Sequence, residues 1–254
     1  MNRINGLSKN KFLQNLTIKK YKPVFLQKNI FNGDIILFKQ SKTVIEIIEV
    51  IEDHFKYIFN IDSHDFLNKK VKIPFAVKED LFFQLQKKIK KCLIINKKFT
   101  YFLEEIGFDR RYIYKDEYSL RYSPKEGEKG FGKLKPAPLH RDTWASNMFE
   151  QINFWFPIHK VSAMNSICLV PRFFREKIQN NSKSWNFDKF KKNKNYPSTP
   201  FTKLKVLDDD KLSIEVNKGS ILCFSGHHLH GSLQNNNERI NLETRVIYRA
   251  KIDK

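Results

Sequence analysis

The sequence predicts a mostly β protein that opens with helices, and three observations lead there. Apolar residues recur at helical spacing through the first 110 residues, whereas alternating and short continuous apolar runs replace them from Arg111 onward. Six of the nine glycines (Gly127, Gly130, Gly132, Gly219, Gly226 and Gly231) flank two histidine-bearing segments in that second part. With 41% hydrophobic residues and 23 Phe, the chain can bury a large core, which excludes a wholly disordered protein. No repeat or linker divides it. Residues 1–254 therefore read as one domain, with 1–110 a mainly helical support region and 111–254 a β core.

The first clear helix is Lys42 to Phe59, where Val44, Ile47, Ile48, Ile51 and Phe55 fall on one stripe with acidic residues between them. A second begins near Val77 and runs through Ile95, with Leu81, Phe82, Leu85 and Ile89 on its stripe. A third covers Lys98 to Glu105, and Gly107 supplies a stop. Pro23 and Pro74 are placed in the connections. From Arg111, Tyr-rich alternation predicts strand, and residues 124–138 form a loop rich in glycine, lysine and proline. Apolar runs then predict strands at Ile152 to Ile158, Ser166 to Val170, Leu212 to Val216, Ser220 to Phe224 and Ile240 to Tyr248. Between them, Arg172 to Asp210 is polar and strand-poor, an excursion expected to cover the mouth of a pocket.

The formal net charge is +20, but only ten of the 47 basic residues are arginine. A reader of nucleic acid would be expected to use more arginine, whose planar fork matches phosphates and base edges. Lys, Asn, Ile and Phe all have A/T-rich codons, so genome composition accounts for much of the excess. Three cysteines without a CxxC pair (Cys92, Cys168, Cys223) argue against a disulfide scaffold or thiolate zinc site and fit a reducing compartment. No apolar run reaches membrane-spanning length and the first residues lack an apolar signal segment, so a cytoplasmic protein is expected.

Two short segments carry the chemistry. The first is Pro138-Leu139-His140-Arg141-Asp142, where residues two apart on a strand would present an imidazole and a carboxylate on one face. The second is Gly226-His227-His228-Leu229-His230-Gly231-Ser232. Two histidines and one carboxylate on one face of a metal ion form the facial triad of non-haem Fe(II) oxygenases. Taken singly, an HxD tripeptide is a common surface pair and a histidine cluster a common polar turn. Their order, with a long β-rich interval between them, is what joins them.

That order, HxD followed by Lys-Gly-Ser-Ile-Leu-Cys-Phe, His-Gly-Ser-x-x-Asn and Arg, resembles the phytanoyl-CoA dioxygenase-like family of Fe(II)/2-oxoglutarate oxygenases. The resemblance spans Arg111 to Ile252, and His230 to Asn235 is its most specific part. It implies a double-stranded β-helix (jelly roll, cupin-like) core buttressed by helices. It also implies that His140, Asp142 and His230 are the iron ligands, with His228 a rival third ligand of the same strand parity. The implied cofactors are Fe(II), 2-oxoglutarate as co-substrate, and O₂. The implied reaction is hydroxylation of a small metabolite with release of succinate and CO₂, and a lysine-rich rim would favour an anionic one. An intact carboxylate at Asp142 favours hydroxylation over halogenation. Val170-Pro171-Arg172-Phe173 stands where the family usually has Pro-Gly-Ser-His, so no relative's substrate is carried over.

Related enzymes hold the far carboxylate of oxoglutarate with an arginine on the strand after the distal histidine, since a buried carboxylate is best met by a bidentate cation. Arg239 is the first choice here and Arg245 the second. Residues 239, 241, 243 and 245 share one strand face, and the pair is similar to the paired arginines of nucleic-acid dealkylating oxygenases. Gln151 and Asn153, with Trp155, share a face that the resemblance assigns to the oxoglutarate or substrate pocket. Trp144, Tyr118 to Tyr122 and Arg121 are further pocket candidates. Two other readings stay open: a nucleic-acid-directed oxidative dealkylase, and a non-catalytic jelly-roll protein that binds a ligand or metal.

Overall fold

The structure, a computed structural model, describes residues 9–125, 136–193, 196–233 and 237–250. Most of the 124–138 loop, including Gly127, Gly130 and Gly132, lies outside the described residues, as do Gln234, Asn235 and Asn236. Among the described residues ten strands form two sheets, and the longer helices all lie in the N-terminal half.

α1 (Pro23–Phe31) and α2 (Lys42–Phe59) flank an early strand. Ser41 caps α2, its hydroxyl accepting from Val44 N at 3.1 Å, and Asn60 ends the helix in the left-handed conformation. The stripe of Val44, Ile47, Ile48, Ile51 and Phe55 is wholly buried. A short α3 (Ser63–Leu67) leads to α4 (Phe75–Lys91) and α5 (Leu93–Glu105). The predicted second helix breaks at Cys92, whose backbone is extended, so α5 starts at Leu93 rather than Lys98. Ile89 and Ile95 would point about 120° apart on an unbroken helix; the break lets both enter the core. Pro23 lies not in a connection but at the first position of α1, whereas Pro74 ends the connection that leads into α4, as expected. The first turn needs no amide proton, so proline costs nothing there. At Gly107, the expected stop, φ is +108° and an added Cβ would lie 1.9 Å from Tyr21 O.

Two sheets form the rest. The strands are β1 (Leu13–Leu16), β2 (Ile35–Phe38), β3 (Ile113–Lys115), β4 (Ser119–Ser123), β5 (Ile152–Pro157), β6 (Ile167–Leu169), β7 (Leu212–Ser213), β8 (Ile221–Ser225), β9 (His230–Ser232) and β10 (Arg239–Tyr248). The large sheet runs β1-β2-β8-β5-β10-β3, with β4 also on β10; the small one runs β7-β6-β9. The N-terminal part is mainly helical, yet it also contributes two four-residue strands, β1 and β2, to the large sheet. The run Ile35-Ile36-Leu37-Phe38 is buried on both faces and therefore shows no alternation to read.

Period-two alternation sorts the large sheet into two faces. Ile152, Phe154 and Phe156 of β5 join Ile240, Leu242 and Val246 of β10 in the core under α2, α4 and α5. Phe154 meets the rings of Phe99 and Phe102 edge-on at 5.5 and 6.2 Å. The opposite face carries Trp155, Leu222 and Phe224, packed against Ile167, Leu169 and Leu212 of the small sheet. That inner space holds the polar groups of interest.

Candidate metal centre

His140 and His230 meet as an isolated antiparallel bridge and exchange both backbone hydrogen bonds, at 2.8 and 2.9 Å. Asp142 does not continue a strand. Its backbone is helical (φ −62°, ψ −33°) and opens the short helix α6 (Thr143–Ser146), whose Ala145 and Ser146 amides donate to its carbonyl. The strand geometry expected for the HxD segment is thus replaced by a helical turn, which swings the carboxylate back between the two rings. His140 Nε2 lies 3.7 Å from Asp142 Oδ1, and His230 Nε2 lies 3.8 Å from Oδ2. One ligand atom from each of the three buried residues falls within 4.8 Å of the others, the sole group of this kind among the described residues.

Both imidazoles are preset for coordination. His140 Nδ1 is 2.8 Å from Pro138 O and His230 Nδ1 is 2.9 Å from His228 O. A carbonyl only accepts, so each Nδ1 carries the proton and each Nε2 keeps its lone pair toward the centre. Burial, then the neighbouring His140, pushes the His230 pKa down to about 4. For Asp142, burial favours the neutral acid, but Arg245 and the two histidines overcome it and hold the carboxyl well below its usual range.

Two donors fix the Asp142 carboxylate. Arg245 Nη2 donates to Oδ1 at 3.1 Å, its Nη1 being tied to Asp116 Oδ2 at 3.1 Å. Asn153 Nδ2 donates to Oδ2 at 2.5 Å, while Gln151 Nε2 donates to Asn153 Oδ1 at 2.8 Å. Asn153 lines the cavity; Gln151 stands behind it. A Cβ at residue 226 would lie 2.7 Å from Gln151 Nε2, so Gly226 leaves room for this chain of bonds.

Arg239 lines the same cavity, as do Trp155, Ile167, Phe224 and Asn241. It is 4% exposed, and its hydrogen-bond partners are all neutral: Asn241 Oδ1 at 3.1 Å and the carbonyls of Asn165 and Ser166 at 2.6 and 2.7 Å. Its guanidinium lies 5.6 Å from the centroid of Trp155, and burial pushes its pKa down to about 10. Among the described residues the two arginines thus differ, Arg245 hydrogen-bonding carboxylates and Arg239 only neutral groups. Asn241 was legible only as a residue of Arg239's parity; its Nδ2 is buried without a hydrogen-bond partner.

Other expected residues fall elsewhere. His228 leaves the cluster, its ring nitrogens facing Ser225 O and Gly33 O at 3.2 and 3.0 Å. Arg121 reaches the cavity rim and pairs with Glu243 at 2.5 Å, whereas Tyr118 and Tyr122 point into the helical core. Trp144 lies outside the cavity beneath Arg141. None of the described residues of the 172–210 excursion lines the cavity. The excursion instead backs the turn that carries Asp142, through Thr202 N to Leu139 O at 3.0 Å and Arg141 to the carbonyls of Phe173 and Glu176. The expected cover of the mouth is therefore a brace behind His140 and Asp142.

No protein-family model and no curated protein matches the sequence. Solved structures similar to the chain include EvdO2 from Micromonospora carbonacea var. aurantiaca complexed with 2-oxoglutarate, 11% identical over 66% of this chain and 65% of that one, TM-score 0.41. The non-haem monooxygenase ThoJ is 8% identical over 81% and 69%, TM-score 0.46. The epimerase SnoN, in complex with Fe³⁺, alpha-ketoglutarate and nogalamycin RO, is 10% identical over 89% and 87%, TM-score 0.47. The chain spans less than two thirds of the length of EvdO2. Its structural neighbours thus include iron- and 2-oxoglutarate-linked proteins.

Proposed function

We infer that this chain is a non-haem Fe(II)- and 2-oxoglutarate-dependent oxygenase that hydroxylates a small polar molecule. The observation that carries this reading is the His140–Asp142–His230 cluster, preset for coordination, in one cavity with a buried arginine that hydrogen-bonds only neutral groups among the described residues. The donor set fits iron: two imidazole nitrogens and a carboxylate leave further positions on the ion open. The cavity wall at Arg239 fits a carboxylate, since Arg239, hydrogen-bonded only to neutral groups, and the unpartnered Asn241 Nδ2 are buried donors. The two packed sheets with helices on one face are compatible with a double-stranded β-helix.

In this reading His140, Asp142 and His230 hold the iron, and Arg239 with Asn241 holds the far carboxylate of oxoglutarate. When bound, the pair would supply, with O₂ as the oxidant, the chemistry that hydroxylates a C–H bond, one oxygen atom going to the product and the other to succinate as CO₂ leaves. The remaining work belongs to the chain. Each carboxylate oxygen has two acceptor sites, so Asp142 can keep Arg245 and Asn153 and still present a lone pair to a metal. Trp155 shields Arg239 from water, strengthening its hold on an anion, while Phe224 covers the His230 ring at 5.2 Å. The rim carries both signs, Arg121 and Arg245 beside Glu117 and Glu243, together with Ser119 and Ser232. This suits a polar substrate and gives no special advantage to an anion.

Anaerobic titration with Fe(II) and 2-oxoglutarate tests the reading. A visible charge-transfer band at one equivalent of iron is expected, and His140→Ala should abolish it. A band and stoichiometry unchanged by that substitution would overturn the assignment. Absence of succinate formation with every small polar candidate, despite the band, would favour a binding protein.

A further inference from the structure

We propose that His227 is a positioning residue for Asp142, clamping the turn that carries this carboxylate to the turn that carries His230. The proposal rests on the metal-centre reading above. His227 lies between β8 and β9, three residues before His230. Arg141 Nη1 is 3.1 Å from its Nε2, and Thr143 Oγ1 is 3.0 Å from its Nδ1. Arginine can only donate, so Nε2 is the acceptor and Nδ1 carries the proton toward the threonine hydroxyl. One imidazole therefore grips both chain neighbours of Asp142.

The grip has further support around it. The ring sits between Phe149 and Phe174, at centroid distances of 5.4 and 5.5 Å. Arg141 is buried and also donates to the carbonyls of Phe173 and Glu176, and Thr143 N donates to Gly226 O at 3.3 Å. Asp142 is thus held twice, by Asn153 and Arg245 at the carboxylate and by His227 through the backbone on the outer side. The bridge between His140 and His230 fixes two of the ligands to each other, but Asp142 lies beyond it in a four-residue helical turn. Without the clamp, that turn joins the His230 segment through one long backbone bond and the carboxylate contacts alone. The three histidines of the Gly226 to Gly231 segment then have separate tasks: His230 faces the metal site, His228 anchors to Gly33, and His227 sets Asp142.

His227 is only half-buried, so it can be replaced without opening the core. His227→Phe keeps a ring between the two phenylalanines but loses both hydrogen bonds; His227→Gln keeps one acceptor and one donor. Co(II) binding is read by its visible spectrum. For His227→Phe the dissociation constant should rise about 10- to 100-fold, as for other residues that orient metal ligands, with shifted bands. His227→Gln should restore most of the affinity and the native bands. A second readout needs no metal: amide exchange from Thr143 to Asn147 should quicken in His227→Phe and return in His227→Gln. Native affinity and spectrum in His227→Phe would overturn the proposal, as would a loss that glutamine does not relieve. If the unsubstituted protein binds no Co(II), the metal reading fails, and amide exchange alone decides whether the clamp exists. Should His227→Phe not fold, Thr143→Val removes one arm of the clamp and is judged by the same two readouts.

Discussion

Arg239 and Arg245 share a strand face, yet their surroundings give them different work. Arg245 neutralises Asp142 and Asp116, and those contacts raise its pKa further; Arg239 has only neutral partners, and its pKa falls. A guanidinium buried with only neutral hydrogen-bond partners is costly unless an anion completes it. Arg239→Met should therefore weaken 2-oxoglutarate binding by about 1.5–3 kcal/mol, the worth of a charge-assisted contact, while Co(II) affinity changes little. Arg245→Met should do the reverse, loosening Co(II) more than oxoglutarate. Titrating each ligand in turn against both variants checks the split. Equal losses of oxoglutarate affinity would show that the two arginines act as one site.

At the scale of elements, β5 has two independent duties on its two faces. Phe154 faces the helices, fully buried, so Phe154→Ala should cost about 3–5 kcal/mol of stability in denaturant unfolding. It should leave the metal site of the remaining folded protein intact, because Asn153 and Trp155 point the other way. The turn after β8 is the converse case. Gly226→Ala drives a methyl group into Gln151 Nε2, which supports Asn153 and through it Asp142. Its expected effect is weaker Co(II) binding with a smaller stability loss than Phe154→Ala. The same thermal and Co(II) measurements on both variants compare them directly.

For the whole molecule, the +20 charge and the site are separate matters. No lysine lines the cavity among the described residues, and its cations are the three arginines 121, 239 and 245, set against Asp142, Glu117 and Glu243. Turnover of a small polar substrate should thus change little with ionic strength, whereas nucleic-acid binding through the lysines would fall steeply with salt. No described helix is long and apolar enough to cross a membrane. A metal held only by the folded chain also stabilises it. At a hundredfold excess over the dissociation constant, Mn(II) should add about 2.7 kcal/mol, which raises the melting midpoint by roughly 5–10 °C for a domain of this size. A chelator should return the midpoint to its starting value.

Local pattern in the sequence determined much of this. Helical spacing placed α2 residue for residue, and alternation assigned the faces of β5 and β10, since side-chain direction on a regular element follows from its period alone. The ligand types were legible for a related reason, because few residues can meet a metal and the two histidine segments are the ones rich in them. Tertiary structure decided the rest. β2 is buried on both sides and carries no period to read, and its place beside β8 is a long-range pairing. Asp142 is turned by a helical kink, not by strand parity, and the two arginines differ through partners far from them in the chain, Asp116 and Asp142 for Arg245 and the carbonyls of Asn165 and Ser166 for Arg239. The roles of His227, His228 and Asn241 depend on partners brought up from Arg141, Gly33 and Arg239. Periodicity fixes where a side chain points, whereas what it meets there is set only when distant segments pack.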